Sequence, residues 1–240
     1  MMNCNTCSSH ACVRQVPVFR SLSDEELVII ESITESHDYK KGSQVCREGE
    51  PSEALFVVKS GLIKLTKNSK EGKQHIVRFL FPGDYFGQFA LLHNKNNDVT
   101  AEIIESGVVC RMHRKDFIPL LEQNAGLAFS FLMSVSEQLH IAEESAGAMH
   151  MFEVEKRLAR LLVYLYTRNL NTPAVTVQAL RQSVDLPSAQ KEVAAMIGTT
   201  AETLSRKLNK LEALKIIAMH KRTVNILEME ALIQIAEISD

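Results

Sequence analysis

The chain lacks any apolar run long enough to cross a bilayer. Its longest stretch without Lys, Arg, Asp or Glu is Gln123–Ser136, 14 residues interrupted by serines, whereas a spanning helix needs about 20 apolar residues. The first residues carry neither a basic n-region nor an apolar h-region ahead of their cysteines, so no secretion signal is expected and a cytoplasmic location is. No His-x-His pair occurs, and His75, His93 and His113 stand isolated. That excludes the ligand pattern of barrel-type metal oxygenases. A glycine-rich phosphate loop and a nucleophile elbow are missing too, so an enzyme is not expected. What is present suits a globular protein: 240 residues with 45% apolar content can bury one large core or two modest ones.

Charge and cysteine are unevenly spread. The net charge is only −2. Residues Ser188–Arg222, however, hold seven basic residues (Lys191, Arg206, Lys207, Lys210, Lys215, Lys221, Arg222) against three acids (Glu192, Glu202, Glu212). That is +4 in one segment and −6 in the remainder, the pattern of a localised anionic partner on an acidic body. Of five cysteines, Cys4, Cys7 and Cys12 fall within nine residues, while Cys46 and Cys110 stand alone. Without a secretion signal, metal or redox chemistry explains the cluster better than a disulfide framework does.

Periodicity then divides the chain. Residues 1–16 are polar and rich in Cys and Ser. The spacing Leu22, Leu27, Ile30, Ile33 predicts a short helix within Val18–Ile33, capped by Ser23 before Asp24-Glu25-Glu26. Short runs at Gln44–Arg47, Ala54–Lys59, Leu62–Thr66, His75–Leu80, Thr100–Glu105 and Gly107–His113, with glycines between them, predict an all-β barrel or jelly roll. Leu127, Phe131, Val135, Leu139, Ala142, Ala146 and Met149 recur every three or four residues, which suits a long helix pairing with a copy of itself. Phe152–Tyr166 reads as another amphipathic helix and Asn169–Pro187 as a polar connection. The expected fold class is α+β: a tail (1–16), a barrel (17–122), a dimerisation helix (123–150) and a C-terminal helical domain (151–240).

The last domain carries the clearest motif. Lys191–Ile197 reads as a helix, Gly198-Thr199-Thr200 as a tight turn, and Ala201–Leu214 as a second helix. Helix, glycine turn and helix make a helix-turn-helix. Leu204, Leu208, Leu211 and Leu214 are expected inside, leaving Glu202, Ser205, Arg206, Asn209 and Lys210 outside. The first of these occupy the positions that reach base edges in the major groove. Arg206 can pair bidentately with guanine, Glu202 can accept from cytosine N4, and Ser205 suits several bases. Thr199 and Thr200, at the helix N-terminus, would meet phosphates. Ile216–Met219 and Thr223–Leu227 flank His220-Lys221-Arg222 as a β wing whose basic tip, Lys221 and Arg222, could grip the backbone.

With these residues in view, the chain resembles the CRP/FNR family of bacterial transcription regulators from about Val18 to Leu232. Gly198-Thr-Thr-Ala-Glu-Thr-Leu-Ser-Arg206 matches the family's recognition helix. The Glu-x-x-Ser-Arg pattern at Glu202, Ser205 and Arg206 is similar to its FNR branch. Phe81-Pro-Gly-Asp84 and Gly87-Gln-Phe-Ala-Leu-Leu92 resemble its cyclic-nucleotide-binding-like jelly roll. The resemblance implies a homodimer reading a TTGAT-like inverted repeat, with RNA polymerase as a further partner.

It also bears on the signal. The family's nucleotide pocket uses a Gly-Glu pair and an Arg-Ser pair; the matching places here read Gly87-Gln88 and Val99-Thr100. Without the arginine a buried phosphate has no counter-charge, so cAMP is not the expected ligand. Cys4-x2-Cys7-x4-Cys12 resembles the FNR cluster motif, whose last spacing is one residue longer, and Cys110 falls at that group's fourth ligand. The resemblance therefore implies an oxygen-labile [4Fe–4S] cluster on Cys4, Cys7, Cys12 and Cys110, and control of anaerobic gene expression. Zinc, with His10 as an extra ligand, or a disulfide switch between the tail and Cys110 would use the same residues. Cys46 has no counterpart and is expected in the core.

Overall fold

The computed structural model describes residues 16, 19, 22–52, 54–69, 71–72, 74–170, 182–187 and 189–237, without the side chains of 144–151 and 168–170. Cys4, Cys7, Cys12 and His10 therefore lie outside the described residues. The chain forms two compact units, Met1–Gln138 and Leu139–Asp240.

In the first unit, helix α1 (Asp24–Ser32) precedes β1 (Thr34–Tyr39), β2 (Gln44–Cys46), β3 (Ala54–Val58), β4 (Leu62–Asn68), β5 (Gln74–Leu80) and β6 (Tyr85–Phe86). Helix α2 (Gln88–His93), β7 (Thr100–Glu105), β8 (Gly107–His113) and α3 (Arg114–Gln123) follow, and helix α4 (Ala125–Met151) leaves the unit. The strands pair antiparallel in two four-stranded sheets ordered β1-β8-β3-β6 and β2-β7-β4-β5, the double-sheet arrangement of a jelly roll. Strand β3 shows why its sequence lacks polar alternation. Ala54, Phe56 and Val58 enter the core between the sheets with Ile63, Leu65 and Val109. Leu55 and Val57 turn the other way, into a second core with Leu27, Ile30, Phe117, Leu127 and Phe131 of the helices. Both faces are buried, so every position is apolar.

Helix α1 begins after Ser23 as expected, six residues later than the predicted span. Glu26 N donates to Ser23 Oγ (3.3 Å) and Ser23 N to Glu26 Oε2 (2.7 Å), a full capping box. Asn124 Nδ2 donates to the other oxygen of Glu26, while Asn124 Oδ1 accepts from Leu127 N at 2.8 Å. One asparagine thus caps α4 and ties it to α1. The hydrogen bonds from Asn124 and Ser23 hold the Glu26 carboxyl below its ordinary range. This contribution is complete above the unfolded carboxylate pKa and fades as pH falls through the lower folded value. Ser23→Ala should cost about 1 kcal/mol of folding stability, read as a shift in the urea midpoint at unchanged slope.

The apolar stripe expected to meet a partner is only partly available. Leu127 and Phe131 are 1% and 5% exposed, and half-buried Val135 packs against the same core as they do. That face of α4 belongs to the chain's own domain, which corrects the assignment of Leu127, Phe131 and Val135 to a dimer interface. Leu139 is 60% exposed and Ala142 is exposed, whereas the Met149 side chain lies outside the described residues. A second stripe is open: Phe129, Leu132 (62% exposed), Met133 and Leu139. Phe129, Leu132, Ser136 and Leu139 follow three-four-three spacing, the a/d rhythm of paired helices. Helix α4 is apolar on two faces, and the side taken by its own barrel is the one centred on Phe131.

The second unit contains α5 (Val154–Leu170), β9 (Ser183–Asp185), α6 (Gln190–Met196), α7 (Ala201–Ala213), β10 (Ile217–His220), β11 (Thr223–Ile226) and α8 (Met229–Ala236). The strands form a sheet ordered β10-β11-β9, and α5 packs on α7, α8 and β9. Leu158, Leu162, Val193, Leu204, Leu208, Leu211, Val224 and Leu232 are buried. Strand β9 lies inside what reads in sequence as a polar connection, so the wing has three strands rather than two.

Candidate nucleic-acid interface and cysteine site

The turn between α6 and α7 has the conformation its glycine allows. Gly198 adopts φ +61°, a region costly for residues with a Cβ. Its N–H donates to Ala195 O (3.2 Å) and Thr199 N–H to Ala194 O (2.9 Å), closing α6. Thr200, rather than Thr199, is the N-cap of α7: its backbone is extended and its Oγ1 accepts from Thr203 N at 3.2 Å. The Thr200 and Thr203 hydroxyls pair at 3.1 Å, and Arg206 donates to Thr203 Oγ1 at 3.2 Å. The guanidinium is thereby steered along the first turns of the helix. Glu202, Arg206 and Asn209 are exposed and Ser205 half-exposed, opposite the buried Leu204, Leu208 and Leu211. Leu214, expected inside, is instead the exposed C-cap residue, where the helix has already ended.

Two side chains that periodicity does not single out tie α5 to its neighbours, one to this helix pair and one to α8. Arg157 of α5 donates to Ile197 O (2.8 Å) and Gly198 O (3.4 Å) in the turn, and to Phe152 O (2.6 Å). Arg160 donates to Ala236 O (2.9 Å) at the end of α8. In each case a cation satisfies carbonyls that a helix end leaves open. In the wing, His220 pairs with Thr223, so Lys221 and Arg222 form a two-residue hairpin loop, both exposed. Lys221 takes φ +56°, where such loops ordinarily use Gly, Asn or Asp.

In the first unit, Cys110 of β8 faces Ser36 of β1 in register, with Sγ 3.4 Å from Ser36 Oγ. The thiol is partly exposed and packs against the core that contains Val16 and Phe19. Cys46 is a core thiol: burial raises its pKa to about 11 and its Sγ lies 3.7 Å from Val99 O. Among the described residues no three His, Cys, Asp or Glu side chains gather as a metal-binding group. At the places where the resemblance implies nucleotide contacts, Gln88 donates to Gln138 Oε1 of α4 (3.1 Å), Gln138 donates to Tyr85 O (3.4 Å), and Thr100 Oγ1 accepts from Glu48 N (3.0 Å).

A jelly roll ahead of a winged helix-turn-helix is the architecture of a two-domain DNA-binding regulator. The chain matches the cyclic nucleotide-binding domain family over residues 36–124 and the Crp-like helix-turn-helix domain family over 156–235. It is 29% identical over 222 residues to the probable transcriptional regulator flp of Lacticaseibacillus casei, covering 92% of this chain and 96% of that protein. It is 25% identical to the anaerobic regulatory protein of Pasteurella multocida, covering 98% and 83%. The solved structure of FixK2 from Bradyrhizobium japonicum shares the fold, with a TM-score of 0.74, 22% identity, and 87% and 100% of the two chains covered. The chain belongs to the CRP/FNR family of DNA-binding transcription regulators.

Proposed function

We propose that this regulator is of the FNR-like branch and is gated by a [4Fe–4S] cluster on Cys4, Cys7, Cys12 and Cys110. The observation that carries the reading is the setting of Cys110. Its partly exposed thiol packs against the core in which Val16 is buried, and Cys12 precedes Val16 by four residues. Four residues reach at most about 14 Å, so Val16 tethers the cysteine-rich tail to the core on which Cys110 packs. Four thiolates are the donor set such a cluster takes, and when bound it supplies an oxygen-labile tie between tail and barrel. The chain's own part is mechanical. Strand β8 runs directly into α3, and Asn124 links α3 to the cap of α4 and to α1. A change at Cys110 therefore bears on the helix with the exposed stripe. Nucleotide sensing lacks support, because Val99 stands at the arginine position and the Gln88 amide is engaged by Gln138.

The output is a homodimer through the Phe129–Leu139 stripe of α4. It reads a TTGAT-like inverted repeat with Glu202, Ser205 and Arg206, holds phosphates with Thr199, Thr200, Lys221 and Arg222, and acts on RNA polymerase in the cytoplasm. The test is anaerobic purification with iron, sulfide and zinc analysis, absorption spectra before and after air, and DNA affinity in both states. About four iron and four sulfide per chain are expected, lost on Cys110→Ala and kept on Cys46→Ala. Stoichiometric zinc in a colourless protein, or DNA affinity that follows dithiol reduction without iron, would replace the cluster with a zinc site or a thiol switch.

A further inference from the structure

Lys207 and Lys210 sit one turn apart on the flank of α7, beside the face formed by Glu202, Ser205, Arg206 and Asn209. Both reach one carboxylate. Lys207 Nζ lies 2.8 Å from Glu155 Oε2, and Lys210 Nζ lies 2.9 Å from Oε1 and 2.8 Å from Oε2. Glu155 is in the first turn of α5, where the helix dipole favours an anion. Its side chain is 15% exposed, against 27% for Lys207 and 54% for Lys210. The two ammoniums hold its carboxyl below the ordinary range, so it is ionised at neutral pH. Helix α7 has three basic residues, Arg206, Lys207 and Lys210, and two of them are committed to a carboxylate 52 and 55 residues away in sequence.

We propose that Glu155 is a positioning residue for DNA binding, which withholds Lys207 and Lys210 from the phosphate backbone and so restrains sequence-independent affinity. The inference rests on the chain being a DNA-binding regulator. Affinity that comes from phosphates is the same for every sequence and grows with each cation that displaces counterions. An operator is distinguished by base contacts and by the shape of its duplex, not by phosphate contacts. A recognition helix with both flanking lysines loose would gain on random DNA and on the operator alike. A carboxylate that holds them lowers this common term and leaves Arg206, Glu202 and Ser205 to decide. Lysine, a point charge on a flexible stem, can move to a phosphate once the carboxylate is neutral.

The test uses the full-length chain, with fluorescence anisotropy on an inverted-repeat duplex and a random duplex of equal length from about 50 to 200 mM salt. Glu155→Gln should tighten random-DNA binding at low salt. Its loss of affinity across that range should grow about 3.5-fold for each freed lysine, a slope change of about 0.9 per phosphate contact. Adding Lys210→Met to Glu155→Gln should cancel about half of a two-lysine gain. The double variant Lys207→Met/Lys210→Met, with Glu155 intact, should keep the wild-type salt slope despite losing two cations; this reading stands even if Glu155→Gln folds poorly. The proposal is overturned if that double variant loses a slope of about 2, which would mean both lysines already meet phosphates. It is equally overturned if folded Glu155→Gln binds both duplexes more weakly at unchanged slope, the mark of a purely structural bolt. Wild-type protein that binds neither duplex would refute DNA binding itself, a result distinct from either.

Discussion

Leu132→Glu and Leu139→Glu should each give a folded chain that sediments as a monomer, while Phe131→Ala should lower folding stability by about 3–5 kcal/mol. The two outcomes separate the faces of one helix. Phe131 lies 5.9 Å from Tyr85 and 5.6 Å from Phe117 between ring centroids, and with Leu127 it fills the core under the outer sheet face. Truncating it leaves a cavity that close packing cannot readily fill. Leu132 and Leu139 touch water in the single chain, so a carboxylate there costs the monomer little. In a paired-helix seam the same carboxylate is stripped of water without a partner, at several kcal/mol, and each 1.4 kcal/mol is about tenfold in association. Binding to an inverted repeat should fall with the dimer, whereas binding to a single half-site should not. If Phe131→Ala dissociated the dimer without loss of stability, and Leu132→Glu unfolded the chain, the helix would lie on its barrel by the opposite face.

The contrast shows what periodicity conveys. It located α4 and its apolar character, but a helix apolar on two faces does not say which one its own domain takes. The strands rich in β-branched and aromatic residues were legible to within two residues. Strand β1, Thr-Glu-Ser-His-Asp-Tyr, was not, because it is an edge strand whose polar side chains are held by pairing to β8 rather than by burial. Strands β6 and β9, of two and three residues, are too short to show a period. In the DNA-binding unit the turn glycine, the threonine cap and the leucine spacing are local signals, and α7 begins where they put it and ends one residue early. Leu214 was misplaced because a helix's last apolar residue need not be covered once the chain turns away. Glu155 carried no local signal, since its lysine partners are 52 and 55 residues distant, and neither did the bond from Arg157 to Ile197 O, 40 residues on; only folding brings these groups together. Cys46, expected in the core because the resemblance gives it no counterpart among the cluster ligands, is buried there.

Arg206→Ala should weaken operator binding by about 1–3 kcal/mol and relax preference at one base of each half-site, with little change on random DNA. The geometry supports a base contact: the residue is exposed on the second turn of α7, and Thr203 directs its guanidinium along the outer face. Lys221→Ala should behave differently. It removes an exposed cation at the tip of the wing, so every sequence should lose affinity alike and the salt slope should fall by about 0.9. Arg206→Lys is the sharper probe. It keeps the charge but not the planar fork that engages two guanine acceptors at once, so operator affinity should fall nearly as far as in Arg206→Ala while the salt slope stays at its wild-type value. These quantities come from one titration series on an operator, its single-base variants and a random duplex. If Arg206→Lys reads the operator as the wild type does, Arg206 meets a phosphate, and base discrimination rests on Glu202 and Ser205.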